Sequence, residues 1–155
     1  MTVIAWDGDT LASDTLCTGL DDGTMQGDKI WRTPSGLFGG AGDDPAIEIV
    51  RLWLMSGSRL KNRPPSFGEG VEFSGLLIAP NRDVFFIDKN ILPVRYRPQR
   101  FAIGSGQQAA LALMAVGLTA PEAVKTIIEK QIVSGVGGEV QSLTLKKRKA
   151  GIRKR

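Results

Sequence analysis

Short runs of apolar residues, several of them alternating with polar ones, follow one another along the chain and indicate β-strands. Turn residues separate the runs: Asp7-Gly8 joins the first two, and Pro34-Ser35-Gly36 joins the next two. A hairpin is the expected structure in both places. The strands that this pattern predicts lie at 2–6, 10–14, 29–33, 37–40, 73–79, 84–88, 101–103 and 140–145.

Three longer stretches have the residue spacing of helices. Asp44 can cap the first of them, and Pro45 suits its first turn. The expected apolar face of this helix consists of Ile47, Ile49, Val50, Leu52, Trp53 and Leu54. A second helix is expected at 107–117, and a capping box at 119–122 starts a third that runs to about residue 130. Helices in two places around many strands favour an α+β fold in which helices cover two packed sheets, a four-layer αββα sandwich.

The size and composition of the chain indicate one globular domain. It has 155 residues, of which 42% are hydrophobic and 23% charged, enough for a sizeable core. Residues 146–155 hold seven of the 20 Lys and Arg side chains and no acid, whereas in residues 1–145 the other 13 face 16 acidic side chains. We therefore expect a mildly acidic domain at 1–145 and a basic tail at 146–155. The tail is either a solvated terminus or a contact for nucleic acid or an acidic neighbouring chain, and it has no aromatic residues for base stacking.

The sequence predicts a cytoplasmic protein without a membrane segment, a metal or a cofactor. Its longest apolar stretch, 109–120, is broken by Gly117 and Thr119 and is too short to span a bilayer. The first residues lack a signal-peptide pattern. A single cysteine, Cys17, cannot form an internal disulfide and fits a reducing compartment; without histidine it offers no zinc site.

The candidate chemistry centres on Thr2. Once an aminopeptidase removes Met1, Thr2 carries a hydroxyl and a free α-amine on adjacent atoms, so that one residue supplies a nucleophile and a base. An α-amine has a pKa of about 8, so at neutral pH a useful share is unprotonated and can take the hydroxyl proton. This route needs no histidine, and the chain has none.

A set of short motifs follows in order from Thr2 to about Leu145. It consists of Thr2, Leu11-Ala12-Ser13-Asp14, Gly27-Asp28-Lys29-Ile30, Gly39-Gly40-Ala41-Gly42-Asp43, Ala102-Ile103-Gly104-Ser105-Gly106 and Ser134-Gly135. In order and spacing this set resembles the proteasome β-subunit and the bacterial HslV-type peptidases, and compact proteasome-like proteins of bacteriophages. The resemblance implies an N-terminal-nucleophile hydrolase with the αββα fold, which cleaves peptide bonds in unfolded polypeptides and assembles into homo-oligomeric rings.

The resemblance also implies a role for each matching residue. Thr2 would attack the substrate carbonyl, with its own amine as the base. Lys29 would lie beside Thr2, where a positive charge favours both the alkoxide and the neutral amine. Asp14 would hold Lys29 charged and oriented, and the backbone N–H of Gly39 would stabilise the oxyanion.

Two serines complete the implied catalytic set. Ser105 would bond the Thr2 amine and assist proton transfer, and Ser134 matches a supporting serine of the family. An aspartate usually stands three residues before this second serine and glycine, but this chain has Gln131, which brings no charge. Turnover by this chain is therefore expected to be reduced or absent.

Substrate contacts are expected from Cys17, Gly27, Leu37 and Ala41. Leu37 and Cys17 would line the pocket for the residue before the cut, which would favour an apolar side chain of modest size. The short Pro/Gly loop at 61–70 stands where larger relatives carry another helix that shapes ring and unfoldase contacts. For this reason neither the ring size nor an ATP-dependent unfoldase partner is carried over.

Two other functions remain open at this stage. The chain could be a catalytically silent relative kept as a structural ring or assembly component, with its basic tail on nucleic acid. It could also hydrolyse a small amide rather than a peptide, because the same N-terminal device serves both reactions.

Overall fold

The computed structural model describes residues 1–18 and 23–145, which form short antiparallel strands and three α-helices. The strands are β1 Ile4–Trp6, β2 Thr10–Asp14, β3 Leu16–Thr18, β4 Thr24–Gln26, β5 Ile30–Thr33, β6 Gly36–Gly42, β7 Phe73–Ile78, β8 Val84–Ile87, β9 Val94–Tyr96, β10 Phe101–Ile103 and β11 Val140–Thr144. The helices are α1 Asp44–Met55, α2 Gln107–Ala115 and α3 Ala120–Glu129. The basic tail predicted at 146–155 lies outside the described residues.

All the predicted strands and helices are present, with ends that differ by a few residues. Three strands were not predicted: β3, β4 and β9 are three residues long, and none of their residues is fully buried, so they show little alternation of apolar and polar positions. Thr119 is the N-cap of α3, as predicted, and its Oγ1 accepts a hydrogen bond from the Glu122 N–H at 3.3 Å, which is the N-cap half of the capping box.

The start of α1 differs from the prediction. Asp44 is the first helical residue, and the N-cap is Asp43, whose carboxylate accepts a hydrogen bond from the Glu72 N–H instead of capping the helix. The expected apolar face is only partly buried, since Ile49 and Leu52 are 42% and 54% exposed. Helix α1 therefore contacts the sheet through a narrower stripe than the sequence indicates.

Two antiparallel sheets organise the fold. One has the strand order β10-β1-β2-β11, and the other has the order β5-β6-β7-β8-β9. Strands β3 and β4 pair separately. The end of β2 lies close to the start of β5, a strand of the other sheet. The candidate site lies between them.

Three clusters of buried side chains explain how these elements pack. The first joins α2 and α3 to the four-stranded sheet, with Val3, Ala12 and Val124 among its members. The second lies between the sheets and includes Trp6, Leu11, Leu37 and Leu76. The third joins the five-stranded sheet to α1. No helix within the described ranges is long and apolar enough to cross a bilayer.

The hairpin between β5 and β6 depends on Gly36. Its φ is +132°, and a Cβ at this position would lie 2.0 Å from the carbonyl oxygen of Ile78 in β7. Both the backbone conformation and the close approach of β7 therefore require glycine.

We predict that Gly36→Ala destabilises the fold by more than about 3 kcal/mol, because it adds a backbone clash to the strain of positive φ. Gly57→Ala is the matched control: Gly57 has a φ of +99°, but a Cβ there meets nothing within 4 Å. It should cost about 1 kcal/mol. Urea denaturation of the two variants measures the difference, and equal costs would show that the contact with β7 is unimportant.

Candidate active site

A buried ion pair joins the two sheets at one end. Asp14 is the last residue of β2 and is 0% exposed, and Lys29, just before β5, is 7% exposed. The Lys29 Nζ lies 3.0 Å from both carboxylate oxygens of Asp14. Each sheet thus contributes one charge to the pair.

The chain compensates for burying these charges with further hydrogen bonds. Asp14 Oδ1 accepts a hydrogen bond from the Val3 N–H at 3.1 Å, and Asp14 Oδ2 accepts one from the Gly137 N–H at 3.2 Å. A buried charge is costly unless it is both paired and hydrogen-bonded. Here both carboxylate oxygens have a backbone donor in addition to the ammonium.

The ammonium of Lys29 also reaches the start of the chain. Its Nζ donates a hydrogen bond to the carbonyl oxygen of Met1 at 3.1 Å. This carbonyl belongs to the Met1–Thr2 peptide bond. The Lys29 charge therefore lies directly beside the bond whose cleavage would free the Thr2 amine. The Met1 side chain lies against Gly135, where a Cβ would come within 2.6 Å of Met1 Cγ.

The loop between β10 and α2 fixes the backbone of Thr2. The Thr2 N–H donates to Ser105 Oγ at 3.0 Å, and the Thr2 carbonyl accepts from the Gly106 N–H at 3.0 Å and from the Ser105 hydroxyl at 3.2 Å. Gly104 permits this approach: its φ is +90°, and a Cβ there would lie 2.3 Å from the Thr2 oxygen. Thr2 is therefore held on both sides of its Cα.

Three adjoining cavities meet at Thr2. Their volumes are about 780, 200 and 220 Å³, and Thr2 and Gly42 line all of them. The 220 Å³ cavity, which we call the acidic cavity, has apolar walls from Met25, Trp31 and Ile47 and acidic side chains from Asp28, Asp44 and Glu48. A polypeptide could therefore approach Thr2 along an open cleft and place a side chain in a smaller recess.

The structure brings three of the four predicted substrate-contact residues close to the cleft. Cys17 lines the 200 Å³ and acidic cavities, and Ala41 lines the 780 Å³ cavity. Gly27 lies behind Cys17, since a Cβ there would come 3.0 Å from Cys17 Sγ. Burial raises the pKa of the Cys17 thiol, and the charge of Lys29 opposes this effect only in part. The thiol is thus kept neutral at pH 7, which disfavours it as a competing nucleophile.

Leu37 and Gly39 line none of the three cavities, although the sequence predicted a substrate contact for Leu37 and an oxyanion N–H for Gly39. Leu37 is 2% exposed and belongs to the cluster between the sheets. A Cβ on Gly39 would meet Ile4 and Ile30 in the same interior. Alternate residues of a strand point to opposite faces, so Gly40 and Gly42 are the glycines of β6 that line the acidic cavity.

Ser134 lies near Met1 through its neighbour Gly135 but is exposed. Among the hydrogen bonds of the described residues, none joins it to Thr2 or Ser105. Gln131, which stands at the family's aspartate position, is also exposed and has a φ of +50°.

Sequence reasoning missed several residues that line the acidic cavity. Asp28 lies just before Lys29, Trp31 is the second residue of β5, and Asp44 and Glu48 lie one turn apart on α1. The spacing of Asp44 and Glu48 is a usable signal, because residues four apart on a helix share a face. The spacing does not show which part of the sheet Asp44 and Glu48 reach, because that depends on how α1 packs on it.

Comparison with solved structures finds proteins that share the fold of this chain, whereas comparison of sequences finds none. No protein-family model matches the sequence, and no curated protein sequence matches it. By contrast, 312 chains of solved structures match the backbone. One of them is Thiobacillus denitrificans BPH in complex with epoxomicin, which is 19% identical to this chain, with a TM-score of 0.63 over 95% of this chain and 100% of that one. At this identity, the likeness shows a shared fold.

We predict that Asp14→Asn and Lys29→Met each lower the free energy of unfolding by about 3–5 kcal/mol, because each leaves a buried partner without its counter-charge. The double variant should lose less than the sum of the two. Chemical denaturation at pH 7 measures this coupling.

Glu129→Gln serves as the control for loss of an ion pair. Its partner Lys125 lies 3.8 Å away, and both side chains are more than half exposed, so stability should barely change. Additive losses at Asp14 and Lys29 would contradict the importance of the buried pair.

Proposed function

We propose that this protein is a threonine-type endopeptidase of the N-terminal-nucleophile class, which acts on unfolded polypeptides. Three residues of the motifs that resemble proteasome-type peptidases, Asp14, Lys29 and Ser105, contact the chain at Met1, Thr2 or Val3. The chain also shares its fold with a protein that binds epoxomicin, an inhibitor of threonine peptidases. The three core clusters, helix–sheet, sheet–sheet and sheet–helix, support the four-layer αββα architecture of this class.

In this mechanism Thr2 supplies both the nucleophile and the base. After Met1 is removed, the Thr2 amine takes the hydroxyl proton, and the oxygen attacks the substrate carbonyl to form an ester. The amine then returns the proton to the leaving nitrogen, and water hydrolyses the ester. Ser105, which already bonds the Thr2 nitrogen, would orient the amine for both transfers.

The ion pair supplies the electrostatic part of the mechanism. A Lys29 ammonium beside Thr2 favours the alkoxide over the hydroxyl and the neutral over the protonated amine. Asp14 keeps that ammonium charged and fixed in position. An oxyanion donor must face the cleft, and the Gly40 N–H already donates to the Lys29 carbonyl at 3.1 Å, so we assign this role to the backbone N–H of Gly42.

One observation carries the proposal. The only lysine in the buried core of the described residues lies 3.1 Å from the carbonyl of the Met1–Thr2 bond and is held there by a buried carboxylate. A lysine with a purely structural role would need only its pair with Asp14. The further contact with the carbonyl before Thr2 places the Lys29 charge beside Thr2, which the proposed chemistry requires.

A catalytically silent relative is the second candidate, and Gln131 favours it. Its side chain is exposed and cannot supply the charge that the family's aspartate gives. Retention of Met1 would have the same consequence, because an amide nitrogen is not a base.

The intact mass of the purified protein tests the proposal, and we expect a species that lacks one methionine. Incubation with epoxomicin should then add one inhibitor mass. Thr2→Ala should abolish both this adduct and the cleavage of denatured casein, whereas the control Thr126→Ala, which alters a threonine on α3, should retain them. Casein also separates a peptidase from an enzyme for small amides. A retained Met1 with no adduct would support the silent relative.

Assembly into a homo-oligomer is part of the proposal. Helix α1 exposes Ile49, Leu52 and Met55, with 42–54% of each side chain accessible, at a spacing that places them along one side of the helix. We expect native mass spectrometry to show a species heavier than a monomer. A monomer at all concentrations would remove this part of the proposal without affecting the chemistry at Thr2.

A further inference from the structure

The acidic cavity opens on Thr2 and carries more negative than positive charge. Asp28, Asp44 and Glu48 line it, with Lys29 as the cation at its base. A recess beside the nucleophile receives the substrate side chain next to the attacked carbonyl, so its charge bears on substrate choice. We propose, on the basis of the proposed function, that the acidic cavity selects substrates with Lys or Arg at the residue whose carbonyl Thr2 attacks.

The balance of charges in the cavity supports this selection. The positive charge of the Lys29 ammonium is offset by the Asp14 carboxylate at 3.0 Å, so the pair adds little net repulsion of a basic substrate side chain. Glu48 is similarly paired with Arg51, whose hydrogen bonds lower the pKa of the Glu48 carboxyl. Two charged pairs thus cancel within themselves.

The remaining two carboxylates are available to a basic side chain. Among the hydrogen bonds of the described residues, the Asp28 carboxylate accepts only one, from the neutral amide of Gln141 at 3.2 Å. Within residues 1–18 and 23–145, Asp44 takes part in no salt bridge. The cavity therefore keeps a net negative charge close to Thr2 and attracts a cation.

The apolar walls suit the stem of a long basic side chain. Trp31 and Ile47 offer a surface on which the methylene groups of Lys or Arg can pack while the charged end reaches the carboxylates. The Trp31 ring already has the guanidinium of Arg51 5.8 Å from its centroid. By contrast, Leu37, which would have favoured an apolar substrate residue, is not part of the cavity.

Two peptide epoxyketones that differ only in one side chain test the proposal. One carries Lys and the other norleucine at the residue next to the reactive group, so only the ammonium differs. We expect the Lys compound to modify processed protein about tenfold faster, as measured by intact mass, because it gains two partly exposed charge contacts. Fluorogenic peptides with the same pair of residues should show the same preference in kcat/KM.

Asp44→Asn identifies the residue that sets the preference. It should reduce the advantage of Lys, measured as the ratio of the Lys and norleucine rates of the same variant, by about threefold to fivefold. Asp83→Asn is the matched control, because Asp83 lies in the turn between β7 and β8 and pairs with Arg95. It makes the same charge change and should keep the full preference for Lys.

The outcomes separate this proposal from the proposed function. Modification and cleavage with equal or better rates for norleucine would overturn the selection for basic residues and leave the peptidase intact. A Lys preference that survives Asp44→Asn and Asp28→Asn together would overturn the role of the acidic cavity. No adduct with either compound, or with epoxomicin, would refute the peptidase and the selection with it.

Discussion

The fold depends on satisfying one buried carboxylate. Asp14 has two oxygens, and each receives the Lys29 ammonium and one backbone N–H, from Val3 at the start of β1 and from Gly137 in the loop before β11. These four contacts join both sheets and a loop that is distant in sequence. Because an unsatisfied buried charge is far more costly than a lost surface contact, the positions of all three segments are fixed together.

The same contacts that stabilise the fold determine the chemistry available at Thr2. The Val3 N–H is bound by Asp14, and the backbone of Thr2 is bound by Ser105 and Gly106. The backbone at Thr2 therefore has little freedom. In the mechanism that we propose, a Thr2 nucleophile held by rigid elements needs no large rearrangement to meet a substrate carbonyl. Stability and the proposed reactivity would then depend on one network, and a substitution in it would affect both.

Much of the architecture follows from the sequence, because turn residues, capping residues and alternation act locally. The capping box at Thr119 and the hairpin glycine Gly36 are examples. What the sequence could not give is the direction in which a strand faces. In a strand with small or apolar residues at every position, such as β6, either face could be inside, and a shift of one residue exchanges them. The resemblance gave roles at the cleft to Gly39 and Leu37, whereas Gly40 and Gly42 line it. The resemblance placed Asp14 beside Lys29, but not Asp44 beside the cavity, since that contact depends on how α1 packs on the sheet.

The contact between Lys29 and Met1 has a consequence for the newly made chain. An ammonium has three N–H donors, and here they meet Asp14 Oδ1, Asp14 Oδ2 and the Met1 carbonyl. While Met1 is attached, no donor of Lys29 is left for a reacting oxygen. Trimming one residue would withdraw the third acceptor and release a donor at the place where an alkoxide would form. In the mechanism that we propose, a chain that keeps Met1 is latent, because the Met1 carbonyl occupies the donor that the reacting oxygen needs.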